Sequence, residues 1–166
     1  GITKYRIEHL ELSQEWNFHK RIAHSREAIK REISACGYDA WFSWESDQII
    51  PADSLDKLIK MMKAGNFTMV NHNNWVRQFP DRINTDLGVS LINRECLEKY
   101  SFLLKFGTDL DMPHNWTFSD PWFKKRVLRD GGSIIDVQGV LNPVYHLDDS
   151  KEGDLQSEPV YWDQDE

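Results

Sequence analysis

Two acidic residues separated by one position, Glu45 and Asp47, are the strongest candidates in the sequence for a chemical role. They directly follow the apolar run Ala40–Trp44, which predicts a buried strand. In an extended segment, side chains two positions apart point to the same side, so both carboxylates can reach one point. Carboxylate oxygens are ligands that Mg²⁺ takes together with substrate phosphates. The spacing therefore predicts a divalent-cation site, and the alternative is a pair of solvated turn residues.

Asp120 and His146 are candidates of a second kind, because each stands at the boundary of a predicted element. Asp120 opens a predicted helix over residues 120–128, where its carboxylate can accept hydrogen bonds from backbone N–H groups of the first turn. His146 closes a predicted strand over residues 140–146. From the residues alone, Asp120 is either a helix cap or a reactive carboxylate, and His146 is either a surface residue or a metal ligand.

A basic face on a predicted helix supplies the candidates for anion binding. Apolar residues recur at helical spacing over residues 18–36, and Gly37 follows them as a typical residue just past a helix end. Arg21 and Arg26 lie elsewhere on the same helix. These arginines either form an ordinary solvated face or point toward a negatively charged ligand.

Helices and strands alternate along most of the chain, which predicts an α/β sheet flanked by helices. The continuous apolar run at residues 40–44 predicts a central strand of a mostly parallel open sheet, because such strands are covered on both faces. The other predicted strands are residues 3–12, 67–70, 88–92, 133–137 and 140–146, and the other predicted helices are residues 53–63 and 94–100. The acids after residue 44 then lie at the carboxyl edge of the sheet, where ligands bind in open α/β folds.

Length and composition limit the class of protein. The 166 residues, of which 40% are hydrophobic and 28% charged, fit one folded domain, predicted over residues 1–147. No apolar run approaches the ~20 residues needed to cross a bilayer, so no membrane span is expected. Eight acids and one lysine follow Leu147, so residues 148–166 are predicted to be a flexible acidic tail.

The charge balance and the cysteines limit the partners and the compartment. The net charge of −7 lies in the acidic tail, and the rest of the chain is neutral. A nucleic-acid partner, which a basic surface would indicate, is therefore not expected. Cys36 and Cys96 fit free thiols in a reducing compartment, which favours a cytoplasmic location.

Five segments in this order resemble the GT-A-fold glycosyltransferases that use nucleotide-sugars, in particular the family 2-like members. The central segment runs from Gly37-Tyr-Asp through the apolar strand to Glu45-Ser-Asp, Pro51 and a helix, and it is similar to the metal-binding Asp-x-Asp region of those enzymes. The other four are Arg21-Ile-Ala-His-Ser-Arg-Glu-Ala-Ile, Gly88-Val-Ser-Leu-Ile-Asn-Arg-Glu, Ser119-Asp-Pro-Trp-Phe, and the stretch from Ile135-Asp-Val to His146. The likeness covers residues 18–147.

The resemblance implies transfer of a sugar from a UDP- or GDP-sugar to an acceptor hydroxyl, on a GT-A-like sheet. Either the nucleotide-binding half of this sheet is shortened, or sequence upstream of Gly1 is missing. It implies Mn²⁺ or Mg²⁺ held by Glu45 and Asp47, with His146 as a third ligand. It also implies that Asp120 is the base that deprotonates the acceptor. The residues that it implies for donor binding are Arg26 or Arg21, together with Ser46.

Three departures from the family's pattern keep other functions open. Glu45 replaces the first aspartate of the Asp-x-Asp motif, and Ser119 replaces the first member of an acidic pair. No Pro-Thr-like turn precedes Tyr5, where the family holds the nucleobase. A catalytically inactive GT-A-like binding or scaffold module and a metal-dependent nucleotidyltransferase are therefore the alternatives.

Overall fold

A computed structural model describes residues 7–72, 87–103, 119–137, 139–147 and 155–157, and these residues form both helices and strands, as the sequence predicts. The helices are α1 (Phe18–Cys36), α2 (Ser54–Gly65), α3 (Arg94–Lys99) and α4 (Ser119–Arg129). The strands are β1 (Ala40–Trp44), β2 (Gln48–Ile49), β3 (Met69–His72), β4 (Val89–Asn93), β5 (Ile134–Val137), β6 (Tyr145–Leu147) and β7 (Leu155–Ser157). The predicted α/β class is confirmed.

Helix α1 has the predicted bounds, and its two ends show why. The Asn17 side chain accepts a hydrogen bond from the backbone N–H of Lys20 at 2.9 Å, which satisfies a donor that the first turn leaves unpaired. At the other end, Gly37 has a φ of 72° and its N–H donates to the carbonyl of Ile33. Glycine reaches this left-handed conformation without strain, so the chain turns directly into β1. Within the described ranges, no helix is both long and apolar enough to cross a membrane.

Four strands form the main sheet, in the order β1-β4-β3-β5. Strand β4 is antiparallel to both β1 and β3, whereas β3 and β5 are parallel. Strands β1, β3 and β5 therefore run in one direction, with β4 reversed among them. The prediction of a mostly parallel sheet is wrong, because a continuous apolar run reports burial on both faces and not the direction of the neighbouring strands.

Strand β1 lies at an edge of this sheet rather than in its centre. Among the described residues it pairs with β4 alone, and Trp44 at its end is 51% exposed. Trp41 and Phe42 are partly buried, and each packs against the core on a different face. The prediction of a central strand is therefore wrong, because large aromatic side chains supply the apolar run while they remain partly open to solvent.

The two faces of the main sheet carry separate hydrophobic cores. On one face, Trp41, Ile92, Met69 and Ile134 lie side by side across the strands. This face, which we call the α1–α4 face, packs against residues of α1, α3 and α4. On the opposite face, α2 contributes the fully buried Leu58 to the second core. Two helices that carry candidate site residues, α1 and α4, therefore cover the same side of the sheet.

A second, smaller sheet has the strand order β2-β6-β7 and was not predicted. Gln48, one position after Asp47, pairs with His146 in this sheet. The predicted strand over residues 140–146 is shorter than expected, since only its last two residues belong to β6. Strand β7 lies within the predicted acidic tail and pairs with β6, so this part of the tail forms a strand.

The predicted first strand, residues 3–12, is not confirmed. Residues 3–6 lie outside the described part of the chain, and residues 7–12 form no strand. The side chain of Ile7 is 88% exposed. Alternation of apolar and polar residues favours a strand only where a partner strand and a core are available to it.

Candidate functional site

The carboxyl ends of β1, β3 and β5 meet at one edge of the main sheet, because these strands run in the same direction. On the α1–α4 face of this edge, a row of polar residues lies in register across the sheet. We call Ser43, Ser90, Asn71 and Asp136 the polar row. Ser90 and Asn71 are fully buried. The floor of the sheet thus changes from apolar to polar at the edge where ligands collect in open α/β sheets.

Hydrogen bonds and one ion pair hold the polar row together. Asn71 Nδ2 donates to Asp136 Oδ1 at 2.7 Å, and the Ser90 hydroxyl donates to Asn71 Oδ1. Lys124 of α4 places its Nζ 3.7 Å from Asp136 Oδ1, and the Lys124 side chain is only 9% exposed. These residues were not predicted as part of a site. The sequence pattern that could have indicated them is a polar residue between apolar neighbours in a buried strand, as at Ser90.

Helical spacing turns Arg26 of α1 toward this edge. Ala23 and Ile33, three positions before and seven after it, are both buried, so the three side chains lie on the same side of the helix. The Arg26 side chain is 13% exposed. Arg21 is exposed and lies five positions earlier, about 140° away around the helix axis. The geometry therefore favours Arg26 over Arg21 as the inward-facing arginine.

Arg26 connects three segments that are far apart in the sequence. Its Nη2 lies 3.4 Å from Glu45 Oε1, and its Nη1 donates to the Ser119 hydroxyl at 3.0 Å. The same Nη1 forms an ion pair with Asp120 Oδ1. The Ser119 hydroxyl donates in turn to Asp120 Oδ1 at 2.9 Å. We call Arg26, Glu45, Ser119 and Asp120 the charged cluster.

Asp120 is placed by the first turn of α4, which begins at Ser119. The positive end of a helix dipole favours a carboxylate at this point, and the Asp120 side chain is 10% exposed. The charged cluster holds two carboxylates against one guanidinium and so carries one net negative charge. If the Arg26 guanidinium turns toward the solvent, it is available to a phosphate.

The turn after β1 differs from the predicted geometry. Ser46 and Asp47 form a turn between β1 and β2, and Ser46 is exposed. The segment is not extended here, so the argument that Glu45 and Asp47 point the same way because they alternate along a strand is wrong. The pairing of β2 with β6 places the backbone of His146 opposite Gln48, the residue after Asp47. The His146 side chain lies outside the described part of the structure.

Asp47 has a feature that fits a cation. Its Oδ1 is buried and has no hydrogen-bond partner among the described residues, and a buried carboxylate oxygen is costly unless it is hydrogen-bonded or coordinates a metal ion. Among the side chains that the structure describes, no group of three or more His, Cys, Asp and Glu residues is arranged to hold a metal ion. The His146 imidazole is not one of those side chains, so the ligand set Glu45, Asp47 and His146 stays a prediction.

A cleft of about 410 Å³ opens between α1 and β1, beside the charged cluster. Its size falls within the range of small-molecule sites. The larger apolar side chains that line it are Ile22, Ile29, Trp41, Phe42 and Trp44. The Trp44 indole N–H donates to the Gln48 carbonyl at 2.9 Å, which holds the ring in place. Arg26 and Glu45 also line the cleft, whereas Asp120 does not, so Arg26 lies between the cleft and Asp120.

Comparisons with known proteins show the fold and nothing finer. No family model matches the sequence, and no curated protein matches it. Among solved structures, the chain is similar to A197 from STIV, with a TM-score of 0.55 and 16% sequence identity. The likeness covers 83% of this chain and 76% of that one. At this level of identity, the protein shares a fold with A197.

Proposed function

We propose that the protein transfers a sugar from a UDP- or GDP-sugar to an acceptor hydroxyl, with Mn²⁺ or Mg²⁺ as cofactor. The observation that carries this proposal is the charged cluster. A basic residue of α1, an acid directly after β1 and an acid in the first turn of α4 meet at the carboxyl edge of the sheet. The resemblance to GT-A glycosyltransferases requires residues of these three kinds to meet, and Arg26, Glu45 and Asp120 supply them.

In this proposal, Arg26 binds the diphosphate of the donor and Asp120 takes the proton of the acceptor hydroxyl. A guanidinium presents a planar fork of N–H donors that matches phosphate oxygens. Arg26 is suited to this role because it lines the cleft and is held on the rigid helix α1. Asp120 must come within ~3 Å of the acceptor oxygen in the productive complex. Its place in the first turn of α4 fixes the backbone that carries it.

The residues proposed to hold the divalent ion are Glu45, Asp47 and His146. When bound, the ion supplies positive charge that stabilises the diphosphate as a leaving group. The buried Asp47 Oδ1, which has no hydrogen-bond partner among the described residues, supports this assignment. The pairing of Gln48 with His146 supports it as well, because it brings the backbones of β2 and β6 together next to Asp47. Ser46 presents an exposed hydroxyl on the same turn, where the donor phosphates are proposed to lie.

One observation favours a second candidate, a catalytically inactive binding module of the same fold. The Asp120 oxygen Oδ1 is engaged by both Arg26 and Ser119 and does not line the cleft. While Arg26 and Ser119 occupy it, Asp120 Oδ1 is not open to the proton of an acceptor. The two candidates differ in whether Asp120 becomes accessible when the donor binds.

Ligand-dependent thermal stability distinguishes the proposed transferase from its alternatives. A ligand that binds only the folded state stabilises it, by about 2.7 kcal/mol at a concentration of 100 times its Kd. UDP or GDP with Mn²⁺ is expected to raise the Tm of the protein, and chelation of the ion is expected to remove most of the effect. A nucleotidyltransferase would respond more strongly to nucleoside triphosphates than to diphosphates. The absence of any nucleotide response would rule out the transferase.

A further inference from the structure

We propose that Arg26 is an ionic latch that passes from Asp120 to the diphosphate of the donor, so that Asp120 is released only after the donor has bound. This inference rests on the proposed function, because it assumes that a diphosphate enters the cleft between α1 and β1. It adds an order of events to that function. The donor binds first, Arg26 turns to it, and the base is then open to the acceptor.

The position of Arg26 is the first observation that supports the latch. Arg26 lines the cleft and at the same time forms an ion pair with Asp120, which does not line the cleft. A ligand in the cleft therefore meets the guanidinium before it can meet the carboxylate. With Arg26 in its observed position, an acceptor that approaches through this cleft cannot reach Asp120.

The contacts of Arg26 supply the second observation. Its Nη2 lies 3.4 Å from Glu45 Oε1, which is a long contact, and the Glu45 side chain is 37% exposed. The Arg26 Nη1 nitrogen is shared between Asp120 Oδ1 and the Ser119 hydroxyl. A diphosphate offers several charged oxygens to the same fork of donors, so it competes with these contacts for the guanidinium. The exchange replaces one charged partner by another and leaves the guanidinium paired throughout.

The contact between Ser119 and Asp120 shows how the base is kept in place after the exchange. The Ser119 hydroxyl donates to Asp120 Oδ1 at 2.9 Å and also accepts from Arg26 Nη1 at 3.0 Å. When Arg26 leaves, the Ser119 hydroxyl still holds the carboxylate in its orientation. A carboxylate at residue 119 would hold Arg26 more tightly than the Ser119 hydroxyl does. A neutral hydroxyl at residue 119 is therefore suited to a latch that must open.

The test measures how tightly inorganic pyrophosphate binds, at a fixed concentration of Mn²⁺, by titration calorimetry. Asp120→Asn removes the charge that holds Arg26, so pyrophosphate is expected to bind about fivefold to tenfold more tightly, within the usual range of coupling between sites. Arg26→Gln is expected to bind about tenfold more weakly, as for the loss of a charged hydrogen bond. The matched control is Asp130→Asn, which removes the charge of an acid at the far end of α4 that pairs with Arg129 and Lys99. The affinity of this control variant for pyrophosphate is expected to stay within about twofold of that of the wild type.

A double-mutant cycle in thermal stability reports the latch without any activity. The Tm shift of Arg26→Gln combined with Asp120→Asn is expected to be smaller than the sum of the two single shifts in the free protein, since the two side chains form an ion pair. With saturating pyrophosphate, this difference is expected to shrink by at least about half. The surface pair Arg94–Glu98, with 2.6 Å between Arg94 Nε and Glu98 Oε1, serves as the control. Its coupling is expected to be the same with and without pyrophosphate.

The outcomes separate the latch from the proposed function. If the wild type binds pyrophosphate and Asp120→Asn binds it no more tightly, the latch is overturned while the diphosphate site stands. The same conclusion follows if the Arg26–Asp120 coupling survives saturation with pyrophosphate. If pyrophosphate binds to none of the proteins, both the latch and the proposed function are overturned. Should Arg26→Gln fail to fold, the comparison of Asp120→Asn with Asp130→Asn still tests the latch, because both of these variants keep Arg26.

Discussion

At the scale of single residues, Asp120 separates an enzyme from a binding module. Asp120→Asn keeps the shape and the hydrogen bond from Ser119 but cannot take a proton. We expect turnover of a UDP- or GDP-sugar to fall by about 10²- to 10⁴-fold, the usual contribution of a general base, while nucleotide affinity is not weakened. Release of the nucleoside diphosphate measures this. The control is Asp130→Asn, which alters an acid at the far end of α4 that pairs with Arg129 and Lys99 and should leave turnover unchanged.

Glu27 is a buried acid of α1 whose role is structural. One carboxylate oxygen accepts from the Phe102 N–H at 2.9 Å and from the Ser101 hydroxyl at 3.0 Å, and the other accepts from Lys30 Nζ at 3.2 Å. Burial alone would raise the pKa of Glu27, but the hydrogen bonds from Phe102, Ser101 and Lys30 outweigh it and hold the pKa below its ordinary value. Glu27 therefore ties the chain after α3 to α1.

The pH dependence of stability tests this role of Glu27. Because its pKa is lower in the folded state, its stabilisation is complete above the ordinary value of 4.5 and is lost as the pH falls through the folded value. Glu27→Gln is expected to lower the free energy of unfolding at pH 7 by about 1–3 kcal/mol, and the difference from the wild type should shrink in acid. Urea denaturation across this range measures it. Glu98→Gln, on the surface, should change stability by less than about 0.5 kcal/mol at any pH.

At the scale of elements, Gly37 sets the boundary between α1 and β1 and so places Arg26 relative to Glu45. Its φ of 72° is left-handed, and an added Cβ would meet only Arg94 Nη1 at 3.7 Å, an ordinary contact. The cost of Gly37→Ala is therefore a backbone cost, expected to be about 1 kcal/mol. Gly37→Asn should cost less, because asparagine tolerates this conformation. If urea denaturation gives the same loss in the free energy of unfolding for both variants, contacts of the added Cβ, and not the backbone conformation, determine the cost.

The elements that the sequence predicted well are those with a local signal. The apolar spacing over residues 18–36 and the glycine after it predicted α1 with its observed bounds, and the run at residues 40–44 predicted β1. Strands β2 and β6 carry no such signal, because two or three residues are too short to show a period. The reversed direction of β4 was also missed, since it depends on pairing between distant segments and leaves no trace in the local pattern of burial.

At the scale of the whole molecule, the candidate site was predicted in its members more than in its geometry. Arg26, Glu45 and Asp120 were singled out by residue type and order, and the structure brings them together. The ion pair that covers Asp120 could not be predicted, because it depends on how α1 and α4 pack over the same face. Lys124 and Asn71 were missed for a related reason. The register of the strands places Asn71 beside Asp136, and the packing of α4 on the sheet brings Lys124 to the same aspartate.

The small sheet links the candidate metal site to the acidic end of the chain, and truncation tests that link. Ending the chain after Leu147 removes β7, the strand that pairs with β6. The main sheet does not include β7, so far-UV circular dichroism should change little. Strand β6, which carries His146, is then left with β2 as its described partner. We expect faster amide exchange at residues 145–147 and a smaller rise in Tm with Mn²⁺ and UDP or GDP.

A second truncation separates strand pairing from charge. Ending the chain after Ser157 keeps β7 and removes only residues 158–166, which hold four acids and no base. If β7 supports the site by pairing, this shorter deletion should retain the Mn²⁺-dependent stabilisation. Equal losses in the two truncations would assign the effect to residues 158–166 and their four acids instead, because these are the residues that both truncations remove. Full stabilisation after the longer truncation would mean that β2 and β6 hold the turn at Asp47 without β7.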